Sequence, residues 1–483
     1  MSTSFLRYLR PTLVSLCVPA GLLAVASAAA APASQPAKRP NLVFILIDDM
    51  RWDIMSCAGH PVVRTPNIDR IAGAGVRFTN AFCTTSLCSP SRAAFLTGAT
   101  AEVNGVRVNE ENDPNPAVPT FPQILQKAGY ETAHIGKWHM SKSAEPRPGY
   151  DYWLSFEWQG EYIDPKLNED GRNFQAKGYV TDLLTDSAVK FIGRDRDKPF
   201  CLTLSHKAMH GDFIPAERHK NLYKPSDLIE PKSYKDDFSD KPRWLRELRV
   251  RGGKLQKPVP PGGIPDRIAP NEWDPTDDGL NQKHLNYLRT LAAVDESAGR
   301  VLDTLREKGL LDNTLIFFAG DNGFFMQEHR LTDKRLAYEE SIRIPFLAGG
   351  FGITRPGRTV DQMVMNIDMC PTMLELAGVP IPKSVQGRSL APLLAAQPPA
   401  DWRDSFVYRY YRENWLPGYP SLVALRTQDW VYIRYPEIED IDELYDLRND
   451  AAQMHNLALD PAAKPRIEKM RAELDRRLKA GTP

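Results

Sequence analysis

The 483-residue chain is poor in cysteine and carries no surplus of either charge. One of its six cysteines, Cys17, falls in an N-terminal apolar stretch. That leaves Cys57, Cys83, Cys88, Cys201 and Cys370, an odd number spread thinly. A disulfide framework is excluded, and one thiol is left over for chemistry. The CxxC and HExxH patterns of zinc sites are missing. Basic and acidic residues both number 61, and no polybasic tail advertises nucleic acid or an anionic membrane. An anionic substrate must therefore be caught by a local cluster of cations. Internal repeats are missing too, and the one long apolar run, "LVSLCVPAGLLAVASAAA", is short for a membrane span.

That run follows Arg7 and Arg10 and ends in small residues, the layout of a cleavable secretory signal. We expect a signal over residues 1–30, a Pro/Ala linker over 31–40, export to the periplasm or beyond, and no stable membrane anchor. "NLVFILIDD" is then an apolar run of strand length ending in two aspartates. Similar runs return at "TAHIGKWH", "PFCLTLSHKAMH" and "TLIFFAGDNG". Helical patterns lie between them, including "TPNIDRIAGAG", "FPQILQKAGY", "YVTDLLTDSAVKFI" and "QKHLNYLRTLAAVDESAGRVLDTLREKG". Buried strands alternating with helices predict an α/β fold, a largely parallel sheet covered on both faces, over residues 41–394. From Tyr234 to Asp278 the chain is rich in Pro, Gly and charge and reads as a long irregular excursion. Residues 395–483 change to short aromatic and β-branched stretches and a terminal helix over 462–480. They predict a small antiparallel sheet with one helix on it.

Ligands of such sheets bind beyond the carboxyl ends of the strands. Four strands would deliver polar residues there: Asp48 and Asp49, Lys137 and His139, His206 and His210, Asp321 and Asn322. Alone, "DD" and "GDNG" read as solvated turns. Together they form a hard oxygen set that suits calcium or magnesium better than zinc. Lys137 and His139 stand on one side of an extended segment, able to hold an anion and move a proton. Of His206 and His210 one is structural, and spacing leaves open which. In "CSPSR", Pro90 suits the first turn of a helix, which places Cys88 at a helix N-terminus where negative charge is favoured. A thiolate nucleophile is the plain reading, but a hard metal cluster is a poor companion for sulfur.

"CSPSRAAFLTG" with "GYETAHIGKWH" resembles the paired signature of the type I sulfatases, in which the cysteine of C-x-P-S-R is oxidised to formylglycine. "RPNLVFILIDDMRWD", "PFCLTLSHKAMHGDFIPAERH", "GDNGFFMQEHRLTDKRLAYEESIRIPF" and "ELYDLRND" extend the likeness over nearly the whole chain. "DKRLAYEES" is similar to glycan sulfatases, notably those acting on N-acetylglucosamine 6-sulfate. The resemblance implies an alkaline-phosphatase-like fold and calcium held by Asp48, Asp49, Asp321, Asn322 and the modified Cys88. It also implies a formylglycine oriented by Arg92, with Lys137, His210 and Lys334 on the sulfate oxygens and His139 beside the nucleophile's second hydroxyl. The implied partners are a sulfated carbohydrate and a formylglycine-generating enzyme. Met209 and Gln327 stand where relatives often have Pro and Gly.

The expected reaction is hydrolysis of a sulfate monoester on a sugar, with His210 or Lys334 protonating the departing alcohol. The nearest alternative is a phosphonate or phosphodiester hydrolase of the same superfamily, whose members tend to have His in place of Asn322. A non-catalytic glycan-binding protein is the outcome if Cys88 stays unmodified. "YRYYRENW" and Arg426 are candidates for a sugar subsite or a packed sheet face.

Overall fold

The structure is a computed structural model that describes residues 39–109, 113–247, 249–251, 254–256 and 279–483. The expected signal and all but the last two residues of the linker lie outside the described residues. The apolar runs form a ten-stranded sheet of β1 (Asn41–Ile47), β2 (Gly75–Phe78), β3 (Glu131–Gly136), β4 (Tyr152–Ser155), β5 (Lys166–Glu169), β6 (Arg172–Gln175), β7 (Phe200–His206), β8 (Thr314–Gly320), β9 (Phe346–Gly350) and β10 (Arg358–Val360). The spatial order is β10-β2-β9-β8-β1-β7-β3-β4-β5-β6. The five central strands, β8 to β4 in that order, run parallel. Antiparallel pairings flank them: β8 with β9 and β4 with β5.

Side chains of β1 alternate between two cores, as the pleat demands. Val43, Ile45 and Ile47 pack with the helices α1 (Val180–Ile192) and α2 (Leu280–Glu307). Leu42, Phe44 and Leu46 pack with Phe95 and Met373 on the other face. This two-sided cover explains why the central strands read as continuous apolar runs. Register then sets the site. Ile47 lies opposite Gly320 and His206, and Gly136 lies opposite Ser205. The polar residues that follow the strands therefore leave the sheet along one edge.

Beyond it, β11 (Ser405–Tyr410), β12 (Leu422–Thr427), β13 (Trp430–Arg434) and β14 (Glu443–Asp446) form an antiparallel sheet in sequence order. Met470 and Leu474 of helix α3 (Lys464–Ala480) pack on Val407, Leu425, Tyr432 and Leu444. The stretch read as irregular holds more structure than expected. It contains a helix at Arg243–Glu247 and a pairing of Arg249–Arg251 with Lys254–Gln256. Its Pro-rich centre, residues 257–278, is outside the described residues. Among the described residues no helix is long and apolar enough to cross a membrane.

Candidate active site

Asp48 and Asp49 follow β1 and Asp321 and Asn322 follow β8, all four buried. One oxygen from each of Asp48, Asp49 and Asp321 lies within 4.8 Å of the others, and the same holds for ligand atoms of Asp48, Cys88 and His210. Cys88 is the first residue of the helix Cys88–Thr97, whose ten residues are all buried. Its Sγ lies 3.5 Å from Asp48 Oδ1 and 3.2 Å from Lys334 Nζ.

Cations interleave with the carboxylates. Arg92, one turn along from Cys88, places Nε and Nη2 each 3.0 Å from Asp321 Oδ2, and Nη2 3.6 Å from Asp48 Oδ1. Its Nη1 donates to the Lys137 carbonyl at 2.9 Å and to Ser205 Oγ at 2.6 Å, tying the helix to β3 and β7. The ammonium of Lys137 contacts Asp48 and that of Lys334 contacts Asp49. His210 Nε2 lies 3.9 Å from Asp49 Oδ2.

These charges decide protonation. Burial works to raise Asp48, yet Lys137, His210, Arg92 and Lys334 together hold it well below the usual carboxylate range. Burial pushes Asp321 up to about 7, helped by repulsion from Asp48, and raises Asp49 as well. His139 and His210 are held well below the usual histidine range, first by burial and then by Lys137. Burial, with Asp48 beside it, pushes the Cys88 thiol up to about 12. This agrees with setting the thiolate aside: desolvation outweighs the helix dipole and favours the protonated thiol.

The residues fit a hard divalent cation. Asn322 donates Nδ2 to Asp49 at 2.7 Å and to the Gly323 carbonyl at 2.8 Å, while its buried Oδ1 has no hydrogen-bond partner. An acceptor left bare beside three clustered carboxylates is a donor set for calcium.

The two candidate histidines separate. His206 is the last residue of β7 and shares the face of Leu202 and Leu204, so it points at α2, where Nε2 meets Ser297 Oγ at 2.9 Å. His210, four residues on, reaches the rim. A cavity of 570 Å³ opens above it, lined by Asp49, His139, His210 and Lys334 and further out by Trp158, Gln327, Arg335 and Trp415. Gln327 is left-handed, φ 77°, a conformation in which glycine is at ease. Of the C-terminal candidates, Trp415 lines the cavity and is 60% exposed. Arg426 instead pairs with Glu339 at 2.7 Å, and Tyr408 and Tyr410 are buried in the core.

Sequence reasoning missed Gln159, in the loop after β4. Its Oε1 lies 2.6 Å from Lys137 Nζ and its Nε2 3.1 Å from His139 Nε2. An ammonium can only donate, so the amide oxygen faces Lys137 and the amide nitrogen donates to His139. His139 Nε2 is thereby kept as an acceptor. A lone glutamine in a loop carries no motif that would have marked it.

The sulfatase family model matches residues 40–379, and that of the C-terminal part of N-sulphoglucosamine sulphohydrolase matches residues 327–480. The N-acetylglucosamine-6-O-sulfatase of Bacteroides thetaiotaomicron is 35% identical over 502 aligned residues, which cover 95% of this chain and 89% of the relative. A solved structure of a protein in complex with its substrate D-glucosamine-2-N,6-O-disulfate has a TM-score of 0.81 at 34% identity, covering 92% of this chain and 98% of that one. The phosphonate monoester hydrolase of Agrobacterium radiobacter, 22% identical with a TM-score of 0.75 over 92% of this chain and 96% of its own, shares the fold. With one family model over most of its length and a relative this similar from end to end, the chain that gathers these carboxylates and cations around Cys88 belongs to the sulfatase family, as a sulfuric ester hydrolase of alkaline-phosphatase-like fold.

Proposed function

We propose that the protein hydrolyses a sulfate monoester on a sulfated sugar, N-acetylglucosamine 6-sulfate or a close relative, with a formylglycine made from Cys88 and a calcium ion. The carrying observation is the meeting of Cys88 with three buried carboxylates, Arg92, Lys137, Lys334 and His210 at one edge of the sheet. The substrate follows from the relative named for N-acetylglucosamine 6-sulfate and the one bound to a glucosamine disulfate. An export signal at residues 1–30 and maturation by a formylglycine-generating enzyme belong to the same proposal.

Asp48, Asp49, Asp321 and Asn322 would hold calcium, which supplies a charge that polarises sulfuryl oxygens and loosens the proton of an oxygen nucleophile. The modified Cys88 supplies, as a hydrate, two hydroxyls on one carbon, one to attack sulfur and one to drive sulfate out. Arg92 fixes Asp321 and the helix that carries Cys88. Lys137, Lys334 and His210 face the sulfate oxygens, where preorganised charge counts most. The departing alcohol takes its proton from Lys334, or from His210 where the negative sulfate offsets Lys137 and lets its ring take up a proton. His139, neutral and with its lone pair on Nε2, would remove the proton of the second hydroxyl by exchanging the Gln159 bond for it.

Peptide mass spectrometry at residue 88, with assays on a panel of sulfated mono- and oligosaccharides, tests the proposal. An unmodified cysteine in active protein would overturn it. His139→Ala should leave a rapid first release of alcohol and slow the later phase by roughly 10²–10⁴-fold, the range of general base catalysis. Equal slowing of both phases would move His139 to another role. Gln159→Leu removes a hydrogen bond to a charged group worth about 1.5–3 kcal/mol, so kcat/KM should fall roughly 10- to 100-fold. An unchanged kcat/KM together with an unchanged later phase would take Gln159 out of the machinery.

A further inference from the structure

Among the described residues no hydrogen bond holds the ring of His210. Its buried Nδ1 has no partner, and Nε2 comes no nearer Asp49 Oδ2 than 3.9 Å, beyond hydrogen-bond reach. The aim of the ring therefore comes from the backbone that carries it. That backbone is the turn Lys207–His210, which follows β7 and is closed by the His210 amide donating to the Lys207 carbonyl at 3.0 Å. The middle of the turn is tied to the end of β1. The Asp48 amide donates to the Ala208 carbonyl at 3.0 Å, and the Met209 amide donates to the Asp48 carbonyl at 2.7 Å.

Both ends of the turn rest on one side chain. Tyr162, in the loop after β4, is buried, and its hydroxyl donates to the His210 carbonyl at 2.7 Å. The ammonium of Lys207, itself buried, stands 4.7 Å from the centroid of the same ring. A phenol aimed at a carbonyl and a cation over an aromatic face both gain strength where water is excluded. Tyr162 is fixed in its turn. Its carbonyl accepts from the Val180 amide at 2.8 Å, and its ring stacks on Tyr179 with centroids 6.0 Å apart and 21° between planes. Tyr179 donates to the Ile214 carbonyl at 3.0 Å, so the two tyrosines grip the chain on either side of Gly211, Asp212 and Phe213, which line the reaction cavity. Asp212 and Phe213 are left-handed, φ 74° and 43°, and such a stretch takes its shape from the contacts around it.

We infer that Tyr162 is a positioning residue for His210. It is not among the residues that line the cavity, and it acts through the direction in which it holds the histidine. The inference rests on the sulfatase reading, in which His210 faces the sulfate oxygens. It adds that one loop serves both histidines of the site, since Gln159 meets His139 and Tyr162 meets the turn of His210.

The test is a double-mutant cycle on mature, calcium-loaded enzyme, read as kcat/KM on N-acetylglucosamine 6-sulfate. Tyr162→Phe keeps the ring under Lys207 and beside Tyr179 and removes the bond to the His210 carbonyl. Its kcat/KM should fall about three- to tenfold, the scale of one neutral hydrogen bond, with little change in thermal unfolding temperature. His210→Ala should cost more. In the His210→Ala background, Tyr162→Phe should have no further effect, because no ring is left to aim. Equal losses in both backgrounds would make Tyr162 a merely structural residue and overturn the inference, as would an unchanged kcat/KM in Tyr162→Phe alone. If the unaltered enzyme leaves the sugar sulfate intact, the sugar reading falls, and the same cycle on 4-nitrophenyl sulfate decides the role of Tyr162 separately. Hydrolysis of neither ester overturns the sulfatase reading and the inference with it.

Discussion

Cys88→Ser is expected to turn over at most once and to accumulate a covalent sulfate on residue 88 visible by mass spectrometry, whereas Cys88→Ala gives neither turnover nor adduct. Attack on sulfur needs one oxygen nucleophile, and a serine hydroxyl at the start of the helix Cys88–Thr97 stands in the same place, beside Asp48 and Lys334. Once it carries sulfate, it is a simple alkyl sulfate. Its removal needs water to attack sulfur in a pocket shaped for the opposite exchange. A residue with two hydroxyls on one carbon avoids this, because the second expels sulfate by breaking a carbon–oxygen bond. The unmodified cysteine should fail at the first step. Its thiol, pushed up to about 12 by burial and Asp48, holds its proton at neutral pH. Sustained turnover by Cys88→Ser would show that one hydroxyl is enough and would reopen the phosphatase-like alternative.

The strands and the rim of the site were legible because they rest on short-range rules. "NLVFILI" and "TLIFFAG" read as central strands of a doubly covered sheet, and in the structure the register Ile47 to Gly320 carries Asp48 and Asp49 beside Asp321 and Asn322. The choice between His206 and His210 was out of reach, because it depends on where β7 ends. While the strand continues, the period of two sends His206 to α2, and only beyond its end does a side chain turn to the rim. Lys334 came from the family likeness, since a lysine in a charged loop has no signature of its own. Gln159 and Tyr162 came from neither source. They depend on how the loop after β4 folds back over the ends of β3 and β7, a tertiary contact that leaves no periodic trace. The sequence argued against a thiolate at Cys88 from the company of hard oxygen ligands alone; the burial of all ten helix residues, which also disfavours it, is not visible in a sequence.

Removal of calcium is expected to lower kcat by at least about a thousandfold, because the charge a metal supplies to a transferring group is worth several kcal/mol. Calcium should restore turnover better than zinc, since the groups gathered at the rim are oxygen donors. Asp321→Ala should match the chelated enzyme and remain folded. It takes one carboxylate from the cluster, but Arg92 keeps its bonds to the Lys137 carbonyl and Ser205 and its approach to Asp48, so the guanidinium is not stranded. Asp321→Asn separates charge from shape. The amide oxygen can still face Arg92, yet one negative charge is gone from a site that holds three buried carboxylates against Arg92, Lys137 and Lys334. Calcium should then be needed at higher concentration, while the thermal unfolding temperature of the metal-free protein stays near that of the unaltered chain. Full activity in protein stripped of metal, or Asp321→Asn matching the unaltered enzyme at limiting calcium, would remove the cation from the site and leave Arg92 and the two lysines as the sole counter-charges to sulfate.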